Sequence, residues 1–175
     1  MEYYHSLVNM TALKVEKKKR LPRSFLKAGV KAPDFSLKST SDKNVSLKDY
    51  RGRMLILLFY PADFSPVCSD ELPLYSELIP EFRRFNAEVA AISVDNTWSH
   101  LAFARDRNLS FPLLSDFEPK GKVSGEYGVY QKESGHSGRA IFVIDGEGII
   151  RWSYAVPNNV NPGADGVLKF LEEIE

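Results

Sequence analysis

The chain contains one cysteine, Cys68, and its neighbours are of the types that a nucleophilic sulfur needs. Upstream, residues 54–60 (Met-Leu-Ile-Leu-Leu-Phe-Tyr) form a short, nearly unbroken apolar run, the pattern of a strand buried on both faces. Pro61 ends that strand because it has no N–H to give to a ladder. Ser65 suits a helix N-cap and Pro66 the first helical position, which leaves Cys68 in the first turn. Asp70 and Glu71 are expected in that same turn, where acids suit the positive end of the helix dipole. A sulfur at a helix N-terminus faces unpaired backbone N–H groups and a partial positive charge, both of which stabilise negative charge on it.

The elements around this point must hold it in place. Residues 32–37 alternate apolar and polar, as a short edge strand does, and residues 45–47 offer a second short strand before a polar turn at 48–53. A helix is expected over about 66–85, a strand over 87–94, and a helix over 97–107 with Trp98, Leu101, Ala102 and Ala104 on its apolar side. Residues 111–116 read as a short strand, and 122–127 as a brief helix stopped by Gly128. A polar, glycine-bearing loop follows at 131–138. Strands at 139–144 and 149–154 flank the turn Asp145-Gly146-Glu147-Gly148, and a closing helix spans 167–174. The order β-α-β-α-β, then β-β-α, implies an α/β fold: crossover helices make parallel neighbours, the hairpin adds antiparallel strands, and helices cover both faces of a mixed sheet.

Composition sets bounds. With 175 residues the chain is long enough for one domain with a full core and no disulfide staples. Formal net charge is zero, so no global field argues for nucleic acid or an anionic membrane. A lone cysteine makes no internal disulfide, which favours a reducing, cytoplasmic setting. No apolar run approaches the ~20 residues that span a bilayer, and the start lacks a signal-peptide core. Up to Lys31, eight basic residues stand against two acids, Glu2 and Glu16, so a basic extension (1–28) is set apart from a more acidic domain (29–175). His5, His100 and His136 have no metal-ligand spacing with Cys68 and are expected on loops or helix surfaces.

Pro61-x-x-x-Ser65-x-x-Cys68 resembles the active-site signature of the peroxiredoxins, the AhpC/TSA-type thiol peroxidases. Residues 59–64 and Glu71 extend the match. Residues 91–95, 111–116 and 127–129 follow in family order, and 139–145, opening with Arg139, resembles the family's second active-site segment. The likeness runs from about Val30 to Tyr154 and is greatest with the one-cysteine, AhpE-like branch, especially through 111–130 and 148–152.

The resemblance implies a thioredoxin-like fold, commonly a homodimer, and reduction of hydrogen peroxide or alkyl hydroperoxides without cofactor or metal. Cys68 would be the peroxidatic sulfur and Arg139 would hold its charge. Ser65 would bridge sulfur and peroxide, and Pro61 would pack over the sulfur. Phe64, Val67 and Glu71 would border the substrate, Glu71 by supporting the arginine. Ser65 as an N-cap would compete with itself as a peroxide contact. Serine in place of the commoner threonine keeps the hydroxyl but loses a rotamer-restricting methyl. The resolving cysteine of many relatives is missing: position 73 is proline. Regeneration would then fall to an external thiol such as thioredoxin, glutaredoxin or a small thiol, or to a second molecule's Cys68. Two other readings carry the same residues: a peroxide sensor or thiol relay, and a silent thioredoxin-fold binding module working through its basic arm.

Overall fold

The computed structural model describes residues 25–40 and 43–175. Residues 1–24, most of the basic extension, lie outside the described residues. Phe25 and Leu26, at its end, are tied to the body: the Phe25 ring lies 5.3 Å from that of Phe142, and Ser153 Oγ donates to the Leu26 carbonyl.

The centre is strand β3 (Met54–Phe59), flanked by β4 (Ala87–Ser93) in parallel and by β8 (Arg139–Ile144) antiparallel. Its side chains alternate between two cores. Ile56, Leu58 and Tyr60 face the side covered by α1 (Pro66–Glu77), α2 (Ile79–Arg84) and α5 (Asp165–Glu173). Leu55, Leu57 and Phe59 face Ala32, Phe35, Tyr50 and the short helix α4 (Lys122–Glu126) with its following Tyr127. Both faces are closed to solvent, which is why the run carries no polar residue. Each such side chain contributes about 1.5–3 kcal/mol by leaving water.

The full sheet has seven strands in the order β2-β1-β5-β4-β3-β8-β9. Its remaining members are β1 (Ser36–Thr40), β2 (Lys43–Ser46), β5 (Leu113–Ser115) and β9 (Ile150–Val156). The parallel β3-β4-β5 unit and the antiparallel β8-β9 hairpin match the expected mixed sheet.

Four local expectations are corrected. The strand read at 32–37 is β1, starting at Ser36, and it is not an edge: it lies between β2 and β5. Residues 131–138 are not a plain loop, because β6 (Tyr130–Gln131) and β7 (His136–Ser137) pair there as a small hairpin. The helix expected over 66–85 breaks at Leu78 into α1 and α2. Leu78 departs from helical geometry at φ −87° and ψ 1°, and Pro80 then falls in the first turn of the new helix, where its missing N–H is tolerated. Helix α3 (Thr97–Asp106) forms as expected but turns a different face inward. His100 and Phe103 are buried and Trp98 is 70% exposed. No helix among the described residues is long and apolar enough to cross a membrane.

Candidate active site

Cys68 takes its position from three local choices in the sequence. Pro61 follows β3 and is buried, the segment from Pro61 to Ser65 turns the chain, and Ser65 caps α1 with Pro66 at its first position. Phe64 accomplishes the turn in a left-handed conformation with φ 59°. This costs a residue with a β-carbon roughly 1–2 kcal/mol. Its ring lies 5.0 Å from that of Phe103, and the residue is 49% exposed. The Cys68 N–H donates to Ser65 Oγ at 3.4 Å, so the cap uses a lone pair of the hydroxyl and leaves its hydrogen free to donate elsewhere. The N-cap expected of Ser65 is therefore present.

Arg139 reaches this point because of strand alternation. Ala140 pairs with Phe59 at the end of β3, which sets Arg139 beyond that pair and on the α1 face with Ile141 and Val143. Its Nη2 donates to Cys68 Sγ at 3.3 Å, and its Nη1 donates to Glu71 Oε2. Arg139 is 1% exposed, and Glu71 and Cys68 are fully enclosed. Asp70 and Glu71 lie in the second turn of α1, not the first, so Glu71 acts on the arginine and not on the helix end. Burial pushes the Glu71 carboxyl up to about 7, with the Arg139 charge and hydrogen bond pulling the other way. Its second oxygen, Oε1, has no partner among the described residues.

Two residues that sequence reading missed complete the arginine's surroundings. The Asn158 carbonyl, in the loop after β9, accepts from Arg139 Nε at 3.2 Å and Nη2 at 2.9 Å. The Asn158 side chain accepts from the Arg139 N–H at 3.2 Å and donates to Gln131 Oε1 at 3.0 Å. Nothing in the spacing marks Asn158, because the loop comes back to Arg139 only through the β8-β9 hairpin. The residues expected to border substrate separate accordingly. Phe64 and Val67 lie near the surface on either side of Ser65, whereas Glu71 is sealed behind Arg139.

His100 corrects another expectation: it is not a surface residue but is 1% exposed, bonded to Asp63 and Tyr60. Asp63, Asp95 and His100 each offer a donor atom within 4.8 Å of the others, a set of the kind a divalent cation takes. Those side chains already hydrogen-bond within the protein, which accounts for the cluster without a metal.

Comparison with known proteins agrees with this geometry. The AhpC/TSA family profile matches residues 28–153. Alkyl hydroperoxide reductase E of Mycobacterium tuberculosis is 40% identical over 129 residues, covering 73% of this chain and 84% of the relative. Peroxiredoxin-2 of Bos taurus is 38% identical over 157 residues, covering 84% and 78%. Among solved structures, peroxidoxin BcpB from Mycobacterium tuberculosis superposes with a TM-score of 0.77 at 28% identity, over 86% of this chain and 99% of that one. The reduced 2-Cys peroxiredoxin of Plasmodium vivax gives a TM-score of 0.77 at 28% identity, over 85% and 82%. The buried thiol under an arginine, the thioredoxin-like sheet and these likenesses together mean that the chain belongs to the AhpC/TSA family, the peroxiredoxins, and with its single cysteine is a thiol-dependent peroxidase.

Proposed function

We propose that Cys68 is the peroxidatic sulfur and that hydrogen peroxide and alkyl hydroperoxides are the substrates. The observation that carries this is the Arg139 Nη2 donor 3.3 Å from Cys68 Sγ, with the sulfur in the first turn of α1. The thiolate attacks one peroxide oxygen and the O–O bond breaks. The leaving oxygen takes a proton and departs as water or alcohol, and Cys68, oxidised by two electrons, is left as a sulfenic acid. Arg139 balances the thiolate and bonds a peroxide oxygen through its planar fork. Ser65 donates its free hydrogen to the same substrate, and the backbone N–H groups of the first turn stabilise charge on the leaving oxygen. Pro61 restricts solvent at the sulfur. Phe64 and Val67 form the rim that substrate crosses, and Glu71 positions Arg139.

An external thiol (thioredoxin, glutaredoxin or a small thiol) condenses with the sulfenic acid, losing water, and a second thiol releases Cys68 from the mixed disulfide. The active form is a homodimer, for which the exposed aromatics Phe64, Trp98 and Phe117 supply apolar surface. The setting is cytoplasmic, and residues 1–28 are a basic extension to a domain of 29–175. The test is stopped-flow oxidation of reduced protein by limiting hydroperoxide, with mass spectrometry on the quenched product, beside Cys68→Ser. Rapid uptake of one equivalent and one added oxygen on Cys68 is the expected result. Oxidation no faster than that of a free thiol would overturn the assignment.

A further inference from the structure

A second buried cluster lies beside the segment that carries Pro61 and Ser65, and the chemistry above makes no use of it. Tyr60 follows the end of β3, Asp63 lies in the loop, Asp95 follows β4 and His100 is on α3. Tyr60 Oη donates to Asp63 Oδ1 at 2.7 Å. His100 Nδ1 stands 2.9 Å and 3.1 Å from the two Asp63 oxygens and 3.3 Å from Tyr60 Oη. His100 Nε2 stands 3.2 Å from the Leu114 carbonyl on β5. On the far side of Asp63, its N–H donates to Asp95 Oδ2 at 3.0 Å, and Ser93 Oγ donates to that oxygen at 2.5 Å.

These partners decide where the protons are. A carbonyl only accepts, so Nε2 must carry a hydrogen. The Tyr60 proton is already given to Asp63, and burial together with the Asp63 charge keeps that phenol from ionising. Every titratable group facing the ring (Asp63, Asp95, Tyr60) is acidic, and none is a cation. His100 is thus held through both ring nitrogens, by Asp63 and Tyr60 on one side and by the β5 backbone on the other.

We propose that His100 is a positioning residue of the peroxidatic centre: it clamps Asp63 and so holds the segment from Pro61 to Ser65 in place over Cys68. The clamp is needed because Phe64, between Asp63 and Ser65, is held at a φ of 59° that its own side chain disfavours. Asp63 is the residue of that segment with side-chain and backbone bonds to three other elements. When the clamp is lost, the segment relaxes, Ser65 leaves its place and the enclosed sulfur opens to solvent.

The inference rests on the peroxidase reading, and two measurements separate them. The first is nitrogen-15 NMR of the imidazole rings in the whole protein, repeated in Cys68→Ser, which has no peroxidase chemistry. A His100 Nε2–H held in a hydrogen bond and exchanging slowly with solvent is the expected result in both proteins, and an imidazole exchanging as freely as one in solution would overturn the proposal. The second compares wild type, His100→Gln and Asp63→Asn in peroxide oxidation and in alkylation of Cys68 by a bulky maleimide. Peroxide oxidation is expected to fall ~10- to 100-fold in both variants as Ser65 shifts. Maleimide labelling is expected to rise at the same time. Rates and labelling equal to wild type would overturn the clamp. A parallel fall in both would mean damage to the sulfur's surroundings without release of the loop, and would overturn it too. A wild-type protein that reacts no faster than a free thiol while the His100 hydrogen bond is intact would sink the peroxidase reading and leave the clamp standing.

Discussion

Arg139 Nη2 lies 3.3 Å from Cys68 Sγ, and the two residues meet across 71 positions of the chain. The meeting is made by sheet register, not by any local motif. β8 enters antiparallel beside β3, and the residue just past the Phe59–Ala140 pair falls on the α1 face. The same arginine is also bound to Glu71, so a single guanidinium serves a sulfur and a carboxyl in a space closed to water.

Arg139→Ala is expected to slow Cys68 oxidation on the order of 10²-fold, the scale of losing one preorganised donor at developing charge. It also leaves the buried Glu71 carboxyl without its hydrogen-bond donor, which destabilises the fold by about 1–3 kcal/mol. Arg139→Ala combined with Glu71→Gln removes that orphaned ionisable group. Denaturant unfolding should show stability partly recovered in the double variant, while stopped-flow oxidation stays slow. If rate and stability recovered together, the arginine would be structural only.

Much of this was legible before any coordinates. The run at 54–60, the proline that ends it and the Ser65-Pro66 helix start are local signals, and each predicts where Cys68 falls. Arg139 was legible only through its segment's likeness to the peroxiredoxins, since an arginine opening a strand is ordinarily a surface charge. Asn158 and His100 were not legible. Asn158 acts mainly through its backbone carbonyl, which no side-chain pattern encodes. His100 sits on a helix whose apolar periodicity pointed to Trp98, yet the buried face is the one carrying His100 and Phe103. A polar residue on a buried face is recognisable only when its partners, here Asp63 and Leu114 from two other elements, are seen beside it.

Glu71 makes stability depend on pH. Its folded pKa is raised from 4.5 to about 7 by burial, so the folded state favours the protonated carboxyl. Its stabilising contribution is complete below 4.5 and is lost as pH rises through about 7. Chemical unfolding is expected to show a fall on the order of 3 kcal/mol across that window. Glu71→Gln, neutral throughout, should flatten the profile. A wild-type profile that rises across the same range would contradict the burial argument.

Asn158→Ala removes the acceptor for the Arg139 N–H and the link to Gln131, but leaves the carbonyl that binds the guanidinium. The expected cost is about 1 kcal/mol in stability and a several-fold loss of oxidation rate as the loop carrying that carbonyl loosens. Gln131→Ala should reproduce part of both effects. Adding Gln131→Ala to Asn158→Ala should cost less than the sum of the single changes, because both break one hydrogen bond. Strict additivity in that cycle would show that the Asn158–Gln131 contact does not hold the arginine.

Ser65 allows capping to be tested apart from the proposed catalysis. Its oxygen accepts from the Cys68 N–H while its hydrogen stays free, so the proposed peroxide contact would use a different part of the same hydroxyl. Ser65→Ala loses both and should cost about 1 kcal/mol of stability through the missing cap, with oxidation slowed ~10-fold by loss of one hydrogen bond to the peroxide. Ser65→Asn still caps the helix, since asparagine is as good an N-cap as serine, but it has no hydroxyl to give the substrate. It should unfold like wild type and react like Ser65→Ala. Ser65→Thr keeps both functions and should be at least as fast as wild type. Its added methyl narrows the rotamers, which holds the hydroxyl more firmly toward the sulfur. If Ser65→Asn instead reacted at the wild-type rate, the hydroxyl would be a helix cap and nothing more.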